Sequence, residues 1–435
     1  MQTEELVNLT KNYEPNSLRI LIVAEHASLE FGGEAALPLH YFQLLRRRNI
    51  ETWLIVHERT KSELEKTFPQ EQDRIFYIKD TFWHRLLWQL GKPLPQKISY
   101  ITFGLLLRII TQINQRKLAK KLVKEKQIEL IHQPIPVSPK EPSLLYNMGV
   151  PVVIGPMNGG MNYPPGFQAM DSKWVSQTIV IGRLFANFVN RLIPGKYQAT
   201  TLLVANSRTR DALPSIVQPN KIIELVENGV DLSIWEAPEH HCSNDIIRFV
   251  FVGRLVDWKA VDLLLLAVKK ALETTPLKLD IIGDGDEKKN LEAQVIKLDL
   301  STHVNFLGWL SQKECAQHLQ QSSCLILPSL YECGGAVVLE AMAMGIPVIA
   351  TNWGGPADYL DENCGILVEP KSPQTFIDGL ANAMIKLAQN PEMCQNMGQS
   401  GYKKVREQFD WEKKIDKILE IYNESIKIFK NGEAS

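Results

Sequence analysis

The sequence predicts an α/β protein with two doubly wound domains in tandem. Three observations support this prediction. A length of 435 residues suits two or three domains better than one. Short strand-like runs alternate with longer helical patterns, as in parallel sheets wrapped by helices. The strand-like runs are apolar throughout instead of alternating with polar residues, which indicates strands buried on both faces.

The strand-like runs fall into two series of similar length. The first series comprises residues 19–24, 52–56, 128–132, 151–155 and 202–205. The second comprises residues 247–253, 278–283, 304–307, 324–328, 347–351 and 365–368. Two such series predict an N-terminal domain over 1–206 and a C-terminal domain over 207–405. Residues 406–435 are expected to form a helix that packs back toward the N-terminal domain through an apolar stripe.

Composition and charge restrict the function classes. Hydrophobic residues make up 45% of the chain and charged residues 22%, the balance of a folded protein with sizeable cores. The net charge of -1 gives no global reason to expect nucleic-acid binding. The six cysteines form no CxxC pair, so we expect reduced, mostly buried thiols.

The apolar segments predict a cytoplasmic protein that is not integral to a membrane. The N-terminus carries Glu4 and Glu5 where a signal peptide needs basic residues. The longest apolar stretch, 98–110, is interrupted by Arg108 and is too short to span a bilayer.

The strongest motif lies in residues 328–351, which read as strand, glycine-bearing turn, short helix and strand. Glu332 is predicted on the turn, and Glu340 about two turns into the helix. Gly334 and Gly335 leave backbone N–H groups bare at the helix N-terminus, where anions bind. A sugar diphosphate needs such a place, because carboxylates accept hydrogen bonds from hydroxyls and amides receive phosphate charge. Two glutamates at this spacing alone are more often solvated surface residues, but the surrounding residues favour a binding role.

These surrounding residues resemble a known family. Glu332 to Glu340, with the Glu-Ala-Met-Ala-x-Gly-x-Pro-Val run, resembles the E-x7-E motif of retaining glycosyltransferases of family 4, also called group 1. The resemblance implies a GT-B fold, two Rossmann-like doubly wound domains facing a central cleft. It also implies an acceptor-binding N-terminal domain and a nucleotide-sugar-binding C-terminal domain. In the family the first glutamate contacts hydroxyls of the donor sugar and the second contacts the ribose, which gives these roles to Glu332 and Glu340.

Two cations agree with the resemblance. Arg254 ends a predicted strand and Lys259 follows on the turn into the next helix. Fixed cations at this spacing can bracket a diphosphate and stabilise the departing nucleotide. The family has an Arg and a Lys here for that task, although it usually has Gly where this chain has Ala260. Alone, such residues are more often surface charges.

Other loops are weaker candidates. Gly308 lies in a Phe-Leu-Gly-Trp segment that resembles a donor-side loop flanking the base, and the loop at 352–358 resembles another donor-side loop of the family. A plain glycine turn explains both equally well. By resemblance, Gly32 and Gly33 line the cleft near the acceptor or the diphosphate.

Two polar residues also end strands of the first series. A histidine at the position of His132 touches the donor sugar near the reacting carbon in the family, while a lone histidine is more often structural. The loop at 155–161 is expected to face the same cleft, with Asn158 as a candidate acceptor contact.

No metal or cofactor is predicted beyond the nucleoside diphosphate sugar as co-substrate. Asp284-Gly285-Asp286 has the D-x-D pattern of the other main glycosyltransferase fold, but here it matches a turn common in family 4. Gly283 and Gly285 have no third glycine at the spacing of a dinucleotide fingerprint.

The segment 81–124 holds nine basic residues and no acidic one, with interleaved Trp, Phe and Tyr. Such a helix rests on anionic lipid or has one solvated face beside a core face. The first interpretation predicts peripheral contact with the inner face of the membrane and a lipid-linked acceptor; otherwise a saccharide acceptor is expected.

The sequence thus predicts retaining transfer of a hexose-type sugar from a nucleoside diphosphate sugar to an acceptor hydroxyl, in polysaccharide or glycolipid synthesis. No carboxylate is predicted beneath the anomeric carbon as a nucleophile. Two alternatives stay open. One is a GT-B sugar-nucleotide epimerase or sugar phosphorylase, and the other is a degenerate transferase kept as a binding subunit.

Overall fold

The computed structural model describes residues 18–94, 99–170, 187–235 and 246–433. Four residues used above, Glu4, Glu5, Lys97 and Cys242, lie outside these ranges. The contacts divide the chain into two units. The first consists of Met1–Asn158, Arg183–Glu227 and Ile415–Ser435, and the second of Gly159–Gly182 and Asn228–Lys414.

The first unit contains a fully parallel seven-stranded sheet in the order β3-β2-β1-β4-β5-β6-β7. Its strands are β1 (Arg19–Val23), β2 (Glu51–His57), β3 (Ile75–Ile78), β4 (Leu130–Gln133), β5 (Val152–Met157), β6 (Thr201–Val204) and β7 (Ile222–Glu224). Central strands such as β1 and β6 are buried almost throughout, because helices cover both faces of a doubly wound sheet. The core therefore follows the middle of the sheet.

The helices of the first unit connect these parallel strands. They are α1 (Gly33–Arg47), α2 (Lys61–Thr67), α3 (Phe82–Gly91), α4 (Leu105–Glu125), α5 (Gly195–Gln198) and α6 (Ser207–Asp211). A π-helical stretch, Tyr100–Gly104, leads into α4. Helix α3 packs against α4 and turns His84 and Gly91 inward.

The second unit contains a fully parallel six-stranded sheet in the order β10-β9-β8-β11-β12-β13. Its strands are β8 (Ile247–Val252), β9 (Leu277–Ile282), β10 (Val304–Gly308), β11 (Cys324–Leu327), β12 (Val348–Thr351) and β13 (Gly365–Val368). Its helices are α7 (Val261–Ala271), α8 (Lys288–Lys297), α9 (Gln312–Gln320), α10 (Ala336–Ala343), α11 (Gly355–Tyr359), α12 (Pro373–Ala388) and α13 (Pro391–Gln408). Capping boxes at Ser311 and Ser372 begin α9 and α12 by satisfying N-terminal N–H groups.

The predicted α/β class with two parallel sheets is confirmed, and each of the eleven predicted strands is present. Two strands, β3 and β7, were not predicted. Both are short outer strands of the first sheet and are only partly buried.

The boundaries of the two units differ from the domain limits given by the sequence. Because β7 pairs with β6, residues up to Glu227 stay with the first sheet instead of beginning a second domain at 207. The last helix, α14 (Trp411–Glu433), contributes Ile415 and everything after it to the first unit. There the Ser425 hydroxyl lies 2.7 Å from that of Thr201.

Within the described ranges we find no helix whose length and hydropathy suit a bilayer crossing. The five cysteines in these ranges are free thiols, and Cys315, Cys324 and Cys364 are buried.

Candidate functional site

Helix α10 begins with bare amides, as the sequence predicts. Gly335 caps the helix in the left-handed conformation, with φ 81° and ψ 57°, and no side chain caps the first turn. The turn that holds Gly334 and Gly335 follows β11, at the carboxyl edge of the second sheet. This edge is where open α/β sheets bind ligands, and free N–H groups at a helix N-terminus attract anions.

Gly335 is required by its backbone conformation. A methyl group at this position would lie 3.1 Å from Cγ of Glu332. Gly335→Ala is therefore expected to lower the free energy of unfolding by about 1–2 kcal/mol, the cost of a left-handed L-residue. Chemical denaturation measures the change. Gly33→Ala is the matched control, because its added methyl meets nothing within 4 Å, and we expect a change below about 0.5 kcal/mol. Equal losses in both variants would contradict the assignment.

Lys259 and Glu332 form an ion pair between Nζ and Oε2. Their side chains are largely buried, with 13% and 17% of the surface exposed. Lys259 ends a short 3-10 turn, Asp257–Lys259, and Trp258 in that turn accepts a 2.8 Å hydrogen bond from the N–H of Leu330. This backbone bond ties the loop after β8 to the loop after β11. The structure thus brings the predicted cation and the predicted sugar-binding carboxylate together.

Arg254 lies on the same loop and is exposed, 5.8 Å from the centre of the Trp258 ring. The loop rests on two close-packed glycines. A Cβ on Gly283 would lie 1.9 Å from the carbonyl oxygen of Gly253, and one on Gly285 would lie 2.3 Å from that of Leu255. These glycines therefore shape the loop that presents Arg254 and Lys259.

Ala260 is the position at which the chain departs from the family pattern. It adopts the left-handed conformation, with φ 51° and ψ 35°, as the residue before α7. Glycine takes this conformation without strain, whereas an L-residue pays for it. The turn after Lys259 therefore keeps a backbone conformation suited to glycine.

Glu340 lies on α10, and its carboxyl group has no hydrogen-bond or ion-pair partner among the described residues. Burial raises the pKa of this carboxyl to about 7. A carboxyl group desolvated without a partner is costly to ionise, and such groups concentrate at functional sites. Its environment suits a ligand that donates hydrogen bonds.

The loop after β12 and residues 161–163 surround Glu332. The N–H of Gly355 donates to the Glu332 carbonyl at 2.8 Å. Trp353 Nε1 donates to the Asn162 carbonyl at 2.8 Å, and the Tyr163 and Tyr331 ring centres are 5.3 Å apart. Residues 161–163 thus contact the motif loops of the second unit. Sequence reasoning did not find this role, because it assigned the 155–161 loop to the acceptor.

Gly308 ends the edge strand β10 in a left-handed conformation with open space around it, and Trp309 beside it is 75% exposed. In the D-x-D segment, Asp284 accepts hydrogen bonds from the N–H of Gly285 at 2.7 Å and from Lys288 at 3.3 Å. This is the hydrogen bonding of a turn.

In the first unit, Gly32 and Gly33 are exposed at the start of α1, after β1. His132 is fully buried on β4. Its Nε2 lies 2.6 Å from the Gly155 carbonyl oxygen, and its Nδ1 lies 2.7 Å from the Tyr422 hydroxyl. Both ring nitrogens are therefore engaged within the first unit, which favours the structural interpretation of His132, and the contact with the donor sugar stays a prediction.

Asn158 is also an internal residue. It is buried and donates a 2.7 Å hydrogen bond to the carboxylate of Glu227. The structure therefore favours an internal role for this side chain over contact with an acceptor. Sequence reasoning had only the strand-end position to judge from.

A group of carboxylates at the carboxyl edge of the first sheet was not found from the sequence. Glu25 follows β1, Glu34 begins α1, and Glu141 lies in the loop after β4. Burial raises the pKa of all three carboxyls, although Glu34 as a whole keeps exposed surface. Arg108 opposes these shifts and donates to Glu141 from Nε at 2.6 Å. The strand-end position of Glu25 was the one signal available in the sequence.

The loop that carries Glu141 is held by a buried lysine. Lys196 donates to the carbonyls of Ser138 and Pro139 at 2.9 and 2.7 Å, and burial lowers its pKa to about 7. The N–H of Val137 in this loop donates to Glu34 at 3.0 Å. The carboxylates are therefore fixed by surrounding backbone.

His57, Asp80 and His84 also lie close enough together to share a metal ion. Asp80 and both ring nitrogens of His84 already have partners. Arg59 donates to Asp80 at 3.0 Å, and the two nitrogens of His84 lie 2.8 and 3.0 Å from the hydroxyls of Thr81 and Thr111. We assign no metal to this group.

Comparison with known proteins identifies the fold and a family match for part of the chain. A family model described as glycosyl transferases group 1 matches residues 236–404, the region that holds Arg254, Lys259, Glu332 and Glu340. Through this region the chain is similar to the group 1 glycosyltransferases.

Two curated relatives illustrate the match. An uncharacterized glycosyltransferase of Methanocaldococcus jannaschii is 33% identical over 201 residues, 46% of this chain and 53% of the relative. The N-acetyl-alpha-D-glucosaminyl L-malate synthase of Bacillus anthracis is 30% identical over 226 residues, 50% of this chain and 58% of the relative. The chain thus spans between half and two thirds of the length of these relatives.

Solved structures match nearly the whole chain. A glycosyltransferase of Rickettsia africae ESF-5 aligns with a TM-score of 0.66 and 16% identity over 94% of this chain and 99% of that one. HepE of Anabaena in complex with UDP aligns with the same score and identity over 94% and 100%. At this identity the likeness shows the fold, which is GT-B.

Proposed function

We propose that this protein is a retaining glycosyltransferase that moves a hexose-type sugar from a nucleoside diphosphate sugar to an acceptor hydroxyl. One observation carries the proposal. In the second unit, the Lys259–Glu332 pair, the bare N-terminus of α10 and the Glu340 carboxyl belong to loops and a helix that contact one another. The Glu340 carboxyl has no partner in the part of the chain that the structure describes. Together they offer cation, amide and carboxylate groups, which are the groups that a sugar nucleotide requires.

Each group has a separate task in this proposal. The diphosphate binds to the Lys259 ammonium and the α10 amides, with Arg254 beside them. The sugar hydroxyls donate hydrogen bonds to Glu332, so that donor binding replaces the Lys259–Glu332 ion pair of the free protein. Glu340 accepts hydrogen bonds from the ribose. Positive groups at the diphosphate stabilise the charge that develops on the leaving nucleotide.

The transfer step needs no enzymic nucleophile. The bond between the anomeric carbon and the diphosphate oxygen breaks while the acceptor oxygen bonds to the same face of that carbon. The acceptor proton passes to an oxygen of the leaving diphosphate, so charge and atoms balance. The configuration is retained, as the family resemblance implies.

We take a uridine diphosphate sugar as the first donor to test, because HepE was solved with UDP and with UDP-glucose. The experiment incubates the full chain with a panel of nucleotide sugars, with and without saccharide and lipid-linked acceptors, and follows nucleotide release. We expect release that depends on the acceptor and yields a new glycoside. An altered sugar nucleotide without an acceptor would instead indicate an epimerase, and phosphate-dependent release of a sugar phosphate would indicate a phosphorylase.

The acceptor is proposed to bind the first unit at Glu25, Glu34 and Glu141. Three desolvated carboxyls around one arginine suit hydroxyl donors and repel an anionic acceptor group. Glu34→Gln is expected to raise the KM for the acceptor about tenfold, the scale of one hydrogen bond to a charged group, while donor KM stays unchanged. Glu30→Gln is the control on the same loop. A change in donor KM alone would contradict this assignment.

The acceptor is either a saccharide or a lipid-linked molecule. Residues 81–124 favour peripheral contact with an anionic membrane, which would bring the protein to a lipid-linked acceptor.

A further inference from the structure

A basic pocket lies on the first unit, where β3 meets α4. It has a volume of about 430 Å³, and Tyr77, Lys79, Thr81, Asn114, Lys117 and Lys121 line it. Lys121 has one carboxylate nearby, Glu125 at 3.7 Å. Lys79 and Lys117 have no carboxylate partner in the part of the chain that the structure describes. Three ammonium groups with two hydroxyls and an amide match the oxygens of a phosphate group.

Acidic residues near the pocket do not neutralise it. Asp80 is held by Arg59 at 3.0 Å and by His57 at 3.2 Å. Outward-facing lysines continue along one face of α4 beyond the pocket, because positions three and four apart share a helix face. They are Lys117, Lys120, Lys121 and Lys124, and all are exposed.

Large apolar side chains are exposed directly beside the pocket. Phe82 and Trp83, the two residues after Thr81, are 65% and 59% exposed, and Trp88 on the same helix is 58% exposed. The Lys92 ammonium lies 3.7 Å from the Trp88 ring centre. Helix α3 turns its other face to α4. Exposed aromatic side chains next to lysines are the pattern of a surface that enters a lipid headgroup layer.

We propose that the pocket and α3 form a docking surface for an anionic phospholipid bilayer. A lipid phosphate binds in the pocket, Phe82, Trp83 and Trp88 enter the interface, and the α4 lysines lie on the charged surface. The proposal rests on the proposed function only in that a glycosyltransferase docked in this way has access to an acceptor in the membrane. The combination of exposed aromatic side chains and a row of flexible lysines favours a lipid surface over an acidic protein. An acidic protein held by buried aromatic anchors would not need such a row of lysines.

The test is flotation of the full-length protein with two kinds of vesicle. One contains phosphatidylcholine alone, and the other contains phosphatidylcholine with about a third of phosphatidylglycerol. We expect binding to the anionic vesicles that weakens with salt, as surface electrostatics requires. Lys117→Glu with Lys121→Glu is expected to lower the partition coefficient at least tenfold. Lys289→Glu with Lys313→Glu, exposed lysines of the second unit, makes the same charge change and is expected to leave binding unchanged.

A second pair of variants tests the apolar part. Phe82→Ser with Trp83→Ser keeps the charge and is expected to lower vesicle binding several-fold. Quenching of tryptophan fluorescence by brominated lipid is expected in the wild type and reduced in this variant. Inorganic phosphate that stabilises the protein against heat without vesicle binding would mean an anion pocket only and would overturn the docking proposal. Equal loss of binding in both lysine pairs would also overturn it.

Nucleotide binding separates this proposal from the proposed function. The docking variants lie outside the second unit, so we expect unchanged thermal stabilisation by the nucleotide sugar. Failure to float with intact nucleotide binding refutes docking alone. Flotation without any nucleotide binding leaves docking intact and refutes the proposed function alone.

Discussion

Replacing Lys259 by alanine is expected to lower kcat/KM for the nucleotide sugar about 100- to 1000-fold, the usual cost of removing one preorganised charge from a transition state. The physical reason is the leaving diphosphate, which gains negative charge as the bond to the anomeric carbon breaks. Steady-state kinetics with the donor found in the panel measures the loss. Lys259→Arg keeps the charge and is expected to recover part of the rate.

Glu332→Gln gives the complementary result. It removes the carboxylate that accepts hydrogen bonds from the sugar, so we expect kcat/KM to fall about tenfold to hundredfold. Binding of the bare nucleotide, which has no sugar to contact, is expected to persist. Only the intact sugar nucleotide should lose affinity.

The control for both variants is another ion pair of the same unit. Lys404 lies 2.7 Å from Asp361, away from the motif loops, and has a similar side-chain exposure of 19%. Lys404→Ala is expected to leave turnover unchanged. Wild-type turnover of Lys259→Ala, or an equal loss in Lys404→Ala, would mean that the Lys259–Glu332 pair is structural.

Glu340→Gln is expected to stabilise the fold at pH 8 while it weakens donor binding. Burial raises the folded-state pKa of Glu340 to about 7 from its usual 4.5. Below pH 4.5 the group is neutral in both states. Between these values the unfolded chain ionises first, so stability falls as pH rises, and above pH 7 the loss is complete. At about 1.4 kcal/mol per pH unit the complete loss is about 3 kcal/mol. Glutamine never ionises and avoids this loss.

Thermal unfolding from pH 4 to 8 measures the stability effect. We expect equal stability of the two proteins near pH 4 and a higher Tm of the variant at pH 8. Glu51→Gln is expected to have the opposite effect on stability at pH 8. Burial alone would raise the pKa of Glu51. Hydrogen bonds and charge from Arg74, together with those from Arg46, outweigh burial and hold this pKa below its usual value. Its stabilisation is therefore present at pH 8 and lost in acid.

Donor affinity gives the second readout for Glu340. An ionised carboxylate accepts two ribose hydroxyl bonds better than a neutral carboxyl, so wild-type affinity is expected to rise between pH 6 and 8. A nucleotide sugar has no terminal phosphate and no ionisation of its own in this range. The glutamine variant should bind about tenfold more weakly, without pH dependence. Pronounced pH dependence in the variant would assign the effect to another group.

The fold and the second unit's motif residues could be read from the sequence because their signals are local. Apolar runs gave the buried strands, and the glycines around Glu332 gave the turn and the helix start. The departure at Ala260 was visible as well, and the structure shows why glycine suits this position: the backbone there is left-handed. The outer strands β3 and β7 were missed, since both are short, partly buried edge strands.

Residues whose environment comes from distant parts of the chain could not be read in this way. His132 looked like a sugar contact until Tyr422, 290 residues further on, was seen to occupy its ring nitrogen. Glu25, Glu34 and Glu141 are unremarkable as single residues. Only the tertiary structure brings these carboxylates around Arg108, and only there does burial act on all of them.

The most direct test of the central claim is a crystal structure of the full-length protein with a uridine diphosphate sugar. We expect the diphosphate at Lys259 and the first turn of α10, the sugar hydroxyls on Glu332 and the ribose on Glu340. A nucleotide bound elsewhere in the second unit, with the Lys259–Glu332 pair closed and Glu340 still without a partner, would contradict the account.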